Sequence, residues 1–261
     1  MDGGRVRSNL FILLSDSHLK YYSKRSFSCF KKAAIKLVKD YGRSLKAVII
    51  TGDYLDFYHC SRFDKNPKRV IEAQKEFDLA KELLLDMQSW FPEWVRLIYI
   101  AGNHEHRVYK DKMRNTHLFG LDDYSVESLL GIEDTRWEYV PYGKKVKFRK
   151  FRAHHGSIVR KNSGYSAHAE LAKSNMSGVT GHTHRGCVIF KTRDGVMYWH
   201  VENFCMCDSK AGAEYNENDD PDWQNGFTMV YEIPEDGWAC PVPVPIEHGV
   251  CIVEGEVIEA D

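Results

Sequence analysis

Three runs near the start of the chain, NLFILLSD (residues 9–16), KAVIITGD (46–53) and VRLIYIAGNH (95–104), are apolar without alternation, and each stops on a carboxylate, an amide or an imidazole. A strand that faces water on one side alternates apolar and polar residues. A continuous apolar run requires cover on both faces, the situation of strands in an α/β layer structure. The intervening segments supply that cover. In SKRSFSCFKKAAIKLVKDYG (23–42), Phe27, Phe30, Ala34, Leu37, Val38 and Tyr41 recur at helical spacing, and Gly42 suits a C-terminal stop. KRVIEAQKEFDLAKELLLDMQSWF (68–91) predicts a long amphipathic helix halted by Pro92. Strand, helix, strand, helix, strand in this order specifies an α/β fold.

The second half has a different texture. KKVKFRKFRAHHG (144–156), MSGVTGHTH (176–184), CVIFKTRDGVMYWHVEN (187–203) and GFTMVYEIP (226–234) are predicted to be mostly strands, with RDG as a hairpin turn. A helix is expected near SGYSAHAELAKS (163–174). The acidic YNENDDPDW (215–223) and the proline-rich CPVPVPIEHG (240–249) are expected to be surface connections by composition. No repeat or Ser/Gly-rich linker divides the chain, so residues 1–261 are expected to form a single domain.

Composition narrows the setting. With 43% hydrophobic and 28% charged residues over 261 positions, the chain can bury a full core. A formal net charge of -1 and the lack of charged tails argue against a general pull toward nucleic acid or anionic membrane, leaving room for a local basic patch. The apolar part of NLFILLSD is shorter than a signal-peptide core and ends in Asp16. No stretch reaches the roughly 20 apolar residues that cross a bilayer. Seven scattered cysteines follow no zinc-finger spacing. A cytoplasmic protein, with no membrane partner, is the expectation.

What the strand ends carry is more specific. SDSH, TGDYLD, AGNHEHR, AHHG and TGHTH each deliver Asp, Asn or His directly after an apolar run. Ligands bind at the carboxyl ends of strands in open α/β sheets, so five such ends converge on one polar site. In TGHTH, His182 and His184 stand at i and i+2, on one face of an extended chain. Mixed nitrogen and oxygen donors on a rigid frame, with a carboxylate able to bridge, suit a pair of divalent cations. Such a pair clamps a phosphate and generates hydroxide at neutral pH.

The series D-x-H, G-D-x-x-D, G-N-H-E, H-G and G-H-x-H, in this order from Asp16 to His184, resembles the calcineurin-like metallophosphoesterase superfamily, in particular its small bacterial and phage-type members. The resemblance implies a four-layer αββα sandwich, two mixed β-sheets flanked by helices. It implies that Asp16, His18 and His184 bind one ion, that Asn103, His155 and His182 bind a second, and that Asp53 bridges them. His104 matches the family's non-ligand histidine, which stabilises phosphoryl oxygens or protonates the leaving group. The implied cofactors are two divalent ions, with manganese favoured and iron, zinc, cobalt or nickel also compatible. The implied reaction is in-line attack by hydroxide generated at the metal pair.

Several positions stay open at this stage. His154 and His155 cannot both point inward from a regular strand; the family's ligand precedes a glycine, which favours His155, while a bulge would reverse the choice. Asp56, in GDYLD, either orients His104 as the second acid of the similar GDYVD of phosphoprotein phosphatases does, or caps a helix or loop. Glu105 is expected to be a supporting or structural acid rather than a ligand. Arg107 is a candidate for binding a substrate phosphate, against a solvated helix-start role. His59, His117, His168, His200 and His248 match no motif and are expected to be surface or core residues, with one reservation for His168, whose helix follows the HHG loop and could turn its N-terminus to a phosphate. The basic KKVKFRKFR (144–152) is a solvated strand face or a contact for a polyanionic substrate. The aromatic YLDFYHCSRF (54–63) packs into the core, shapes a lid or stacks a base.

Departures from the family narrow the substrate. Phosphoprotein phosphatases carry arginines where this chain has Phe57 and Ala101, so the usual phosphate-gripping pair is missing. The leading expectation is a phosphodiesterase acting on a nucleotide or nucleic-acid phosphate. A phosphomonoesterase or protein phosphatase is the second. A binding scaffold without catalysis is the third, disfavoured because every ligand position is occupied.

Overall fold

In the computed structural model, which describes residues 8–62, 64, 65, 67, 72–208, 210, 221–234 and 238–261, the three apolar runs form β1 (Asn9–Leu14), β2 (Leu45–Ile50) and β3 (Arg96–Ile100), paired in parallel. β4 (Trp137–Val140) continues the sheet in parallel beyond β3. On the other side, β10 (Gly226–Glu232) and β11 (Ala239–Pro245) add antiparallel strands, giving the order β11-β10-β1-β2-β3-β4. A second sheet holds β5 (Val146–Lys147), β6 (Phe151–His154), β7 (Ser177–Thr180), β9 (Val196–Glu202) and β8 (Cys187–Arg193), in that spatial order. Its β6-β7-β9 centre is parallel and its two edges are antiparallel. A separate hairpin pairs β12 (Val250–Val253) with β13 (Glu256–Glu259).

The continuous apolar runs do what their lack of alternation demands. Leu10, Ile12 and Leu14 of β1 turn toward a core shared with helices, whereas Phe11 and Leu13 turn toward a second core shared with the other sheet. β2 and β3 divide in the same way, Val48, Ile50, Leu97 and Tyr99 to the helices and Ala47, Ile49, Ile98 and Ile100 to the sheet. The helical cover comes from α1 (Lys24–Tyr41) and α2 (Ala73–Ser89). Ser23 caps α1 by accepting from the Ser26 amide at 3.2 Å, and Gly42 ends it with φ 49°. Two shorter helices follow, α3 (His106–Arg114) and α4 (Val126–Leu130), and α5 (Tyr165–Ala172) packs on β7, β8 and β9. The layers run helix, sheet, sheet, helix, the four-layer αββα arrangement. No helix among the described residues is long and apolar enough to cross a membrane.

The β8–β9 hairpin turns at Asp194 and Gly195, both with positive φ (48° and 75°), as the Asp-Gly dipeptide favours. Two readings need correction. The proline-rich 240–249 segment is not only a connection: most of it is β11, an edge strand. Pro241, Pro243 and Pro245 pair with Val230, Thr228 and Gly226, so all three share one parity. In an antiparallel ladder, alternate residues direct their N–H groups away from the partner, and prolines at those positions cost no ladder bond while blunting the open edge. The basic 144–156 stretch likewise folds back on itself, β5 against β6, with the Phe148 amide donating to the Phe151 carbonyl at 2.8 Å. Residues 68–71 of the long helical segment, Phe63 of the aromatic insert and residues 215–220 of the acidic connection lie outside the described residues.

Trp199 joins the two sheets. It is buried against Phe151 and its indole Nε1 donates to the Ala239 carbonyl of β11 at 2.6 Å. Trp199→Ala removes both the packing and the bond. Urea denaturation is expected to show a loss of about 3–5 kcal/mol in unfolding free energy; a loss below about 1 kcal/mol would mean that the inter-sheet core does not depend on this residue.

Candidate metal centre

The carboxyl ends of β1, β2, β3, β6 and β7 open at one end of the two sheets, and the loops beyond them carry the motif residues. These loops are tied together by their backbones. The Asp16 amide donates to the Gly52 carbonyl and the His18 amide to the Asp53 carbonyl, both at 3.0 Å. The His182 amide donates to Asp16 Oδ2 at 2.9 Å, which links the β7 loop to the β1 loop. The strongest tie is the Glu105 carboxylate. One oxygen accepts from the amides of Asp53 (3.1 Å) and Gly102 (2.7 Å). The other accepts from the amides of Tyr54 (2.9 Å) and Leu55 (3.2 Å) and from the Tyr99 hydroxyl (2.7 Å). Gly102 is required by close approach: a Cβ there would stand 2.1 Å from Asp53 Oδ1. A Cβ on Gly52, at φ 98°, would stand 2.4 Å from His155 Nδ1.

Held this way, the side chains meet in two linked clusters. In the first, His18 Nε2 and His184 Nε2 are 3.0 Å apart, and Asp16 Oδ1 lies 3.3 Å from His184 Nε2 and 3.9 Å from His18 Nε2. In the second, His155 Nε2 lies 2.9 Å from Asn103 Oδ1, 3.2 Å from His182 Nδ1 and 3.3 Å from Asp53 Oδ2. Asp53 connects them, since its carboxylate also groups with His18 and His104. The His155 Nδ1–H donates to the Thr51 carbonyl at 2.9 Å, which directs Nε2 toward the cluster. Asp16, His18, Asp53, His182 and His184 all adopt positive φ, between 43° and 77°. Such backbone costs about 1–3 kcal/mol per non-glycine residue and persists only where surroundings enforce it.

The residues fit a pair of cations. Imidazole lone pairs about 3 Å apart repel unless a proton or cation lies between them. Burial, reinforced by His104 and His184, holds His18 well below the usual histidine range, so it offers a lone pair rather than a proton. Burial, then His155, also lowers the pKa of His182. Asp16 Oδ1 is buried with no hydrogen bond. Burial alone would raise the Asp53 pKa, but His104 and His155 outweigh it and keep the carboxylate ionised. Burial opposes charging of His155, yet the Asp53 carboxylate lifts that imidazole to about 10.

Beside the clusters, His104 is held from both ring nitrogens. Its Nδ1 faces the Asp56 carbonyl at 2.9 Å and Asp56 Oδ1 at 3.1 Å, and its Nε2 meets Arg107 Nη2 at 2.9 Å. Burial disfavours its charged form, but Asp53 and Asp56 prevail and raise its pKa. Arg107 donates through Nη1 to the Asp56 carbonyl at 2.8 Å. Asp56 is not the N-cap of any helix among the described residues. Of the two adjacent histidines, His155 reaches the centre, while His154 faces Glu170 with Nε2 to Oε2 at 3.5 Å.

Other residues fall elsewhere. His200 bonds Thr180 Oγ1 at 3.1 Å inside the second sheet, His59 packs on Phe57 and Phe77, and His248 is exposed. Sequence reading missed Glu76, whose carboxylate accepts from the amides of Asp56 (2.7 Å) and Phe57 (3.1 Å). Burial, then Asp56, raises Glu76 to about 7. Its signal was present: Glu76 stands on the buried stripe of α2 with Ala80, Leu84 and Met87. Trp223, edge-on to His184 with ring centres 4.3 Å apart, had no such signal.

Glu105→Gln keeps the shape of the central clamp but replaces one acceptor oxygen with a donor that faces backbone N–H groups. With about 1–3 kcal/mol for each donor left unsatisfied, urea denaturation of the metal-free protein is expected to show a loss of about 3 kcal/mol or more. An unchanged midpoint would contradict the clamp.

A family model for calcineurin-like phosphoesterases matches residues 10–186, more than half of the chain and a span that contains every residue of both clusters. Among solved structures, the chain is similar to a crystal structure of a single mutant of Vps29 from Entamoeba histolytica, with 13% identity, a TM-score of 0.42, and coverage of 97% of this chain and 99% of that one. It is similar also to wild-type Vps29 from Entamoeba histolytica complexed with zinc, with 13% identity, a TM-score of 0.41, and coverage of 95% of each chain. No curated protein sequence matches the chain. On the family model and its span, the chain belongs to the calcineurin-like phosphoesterases.

Proposed function

We propose that the chain is a dinuclear metal-dependent phosphodiesterase whose substrate is a nucleotide or nucleic-acid phosphate diester. The observation that carries the diester preference is what stands at the two arginine positions of the phosphoprotein phosphatases. Phe57 and Ala101 are both fully buried, so neither presents charge to a phosphate. Arg107 is the guanidinium held beside His104. A diester carries one negative charge and a monoester nearly two at neutral pH, and the smaller complement of fixed cations favours the diester.

In this reading Asp16, His18 and His184 would hold one ion, Asn103, His155 and His182 would hold the other, and Asp53 would serve both. Two divalent ions in these positions supply charge neutralisation of the phosphoryl group and a nucleophile at neutral pH. The donors are nitrogen and oxygen without thiolate, a set that suits manganese, our choice for the activating ion, and accommodates iron, zinc, cobalt or nickel. His104 keeps a proton on Nδ1 through Asp56, and its raised basicity lets Nε2 carry a second proton for the leaving oxygen. Arg107 swings from His104 Nε2 to a phosphoryl oxygen when substrate enters. Glu76 fixes the Asp56 backbone and through it the orientation of His104. The odd number of cysteines and their lack of zinc-finger spacing are the grounds for a cytoplasmic setting in this reading.

The test is initial-rate hydrolysis of bis-p-nitrophenyl phosphate and p-nitrophenyl phosphate by manganese-loaded protein, with metal content measured in parallel. The diester is expected to have the higher kcat/KM. Asp53→Asn is expected to cost more than about 100-fold in kcat, and His104→Ala about 100-fold or more with both metals retained. Monoester preference would transfer the assignment to the phosphatases. Near-wild-type turnover in Asp53→Asn would refute the bridging role, and metal loss in His104→Ala would make His104 a ligand.

A further inference from the structure

A cavity of about 410 Å³ lies against the second cluster, with His155 in its lining. His155 and Tyr142 form its wall toward the metal centre, with their ring centres 6.4 Å apart. The rest of its lining is strongly basic. Lys144 and Lys145 enter from the turn before β5, Arg152 and His154 from β6, and Lys173 from the end of α5. Against these stands one carboxylate, Glu170, 3.9 Å from Arg152 Nη2 and 3.5 Å from His154 Nε2. One carboxylate against the four fixed cations Lys144, Lys145, Arg152 and Lys173 leaves three in excess. Burial and the neighbouring Arg152 charge accordingly lower the pKa of Lys145. Arg152 Nε is buried with no hydrogen-bond partner, as is Nδ1 of His154. An unpaired buried guanidinium N–H is costly, and an anionic oxygen relieves it.

Tyr142 also forms a wall of a neighbouring cavity of about 330 Å³, where its ring stacks on His106 at 4.8 Å and His106 stacks on Tyr109 at 5.4 Å. The centre is thus bordered by a basic cavity and an aromatic one that share one tyrosine. Phosphate and a planar base are the complements of these two surfaces.

We propose that the basic cavity is a subsite for a second phosphate of the substrate, next to the phosphate that is hydrolysed. The inference rests on the phosphodiesterase reading for its reaction and on the cavity for its specificity. Lys145, Arg152 and Lys173 hold the second phosphate, and the base beside it stacks on the Tyr142–His106–Tyr109 ladder. The second phosphate is either a terminal monoester or the next diester of a chain.

The experiment compares KM of the manganese-loaded full chain on bis-p-nitrophenyl phosphate, which has one phosphate, with KM on the thymidine dinucleotide pTpT and the trinucleotide TpTpT. The Lys145→Ala/Lys173→Ala double variant changes only exposed side chains, and Arg152→Gln tests the buried donor. The ratio of KM on pTpT to KM on bis-p-nitrophenyl phosphate is expected to rise about tenfold in each variant. A rise on pTpT alone assigns the terminal phosphate, and a rise on TpTpT as well assigns a chain phosphate. A ratio that does not move overturns the subsite. Should the wild type hydrolyse no diester, the phosphodiesterase reading fails by itself, and calorimetric titration with inorganic pyrophosphate still decides the subsite: about tenfold weaker binding in both variants supports it, and equal binding overturns it.

Discussion

The candidate centre depends on a carboxylate that lies outside both of its side-chain clusters. Glu105 gathers four backbone amides and one hydroxyl, from Asp53, Tyr54, Leu55, Gly102 and Tyr99. The amides belong to the loops after β2 and β3 and the hydroxyl to β3 itself, so one side chain fixes Asp53 relative to Asn103 and His104. Burial, then Asp53, raises the pKa of Glu105, and the surrounding donors oppose that rise. The Tyr99 hydroxyl keeps its proton because burial and Glu105 push its pKa far up. Charge on Glu105 is therefore stabilised by dipoles instead of water, which allows a second carboxylate, Asp53, to sit close by.

That rigidity sustains strain elsewhere. Five residues of the two clusters have left-handed backbone, a conformation that sequence alone disfavours for Asp and His. Each gains from it a direction that an extended strand end would not give. The cost is offset by the hydrogen bonds that join the loops, among them Asp16 to Gly52, His18 to Asp53 and His182 to Asp16. Apolar cores on both faces of β1, β2 and β3 anchor the loops from below.

Much of this was legible in the sequence because it is local. Uninterrupted apolar runs announced two-sided burial, and the polar residues directly after them marked the site. Gly52 and Gly102 stand where backbones and side chains approach too closely for a Cβ. What was not legible depends on contacts across long stretches of chain. The choice between His154 and His155 follows from which side of β6 meets the centre, and Glu170, which takes His154, lies sixteen residues on. Asp56 has two uses open in sequence, and its contacts with His104 and Arg107 depend on the approach of another loop. β11 was hidden by its prolines, since composition does not reveal that all three share the parity that faces away from β10.

The central claim is that two cations share Asp53. The direct measurement is anomalous diffraction from crystals soaked in manganese. The account predicts two peaks roughly 3.5–4 Å apart, one among Asp16, His18 and His184 and one among Asn103, His155 and His182, with the Asp53 carboxylate reaching both. A single peak at full occupancy, or a pair that leaves Asp53 uncoordinated, would contradict it.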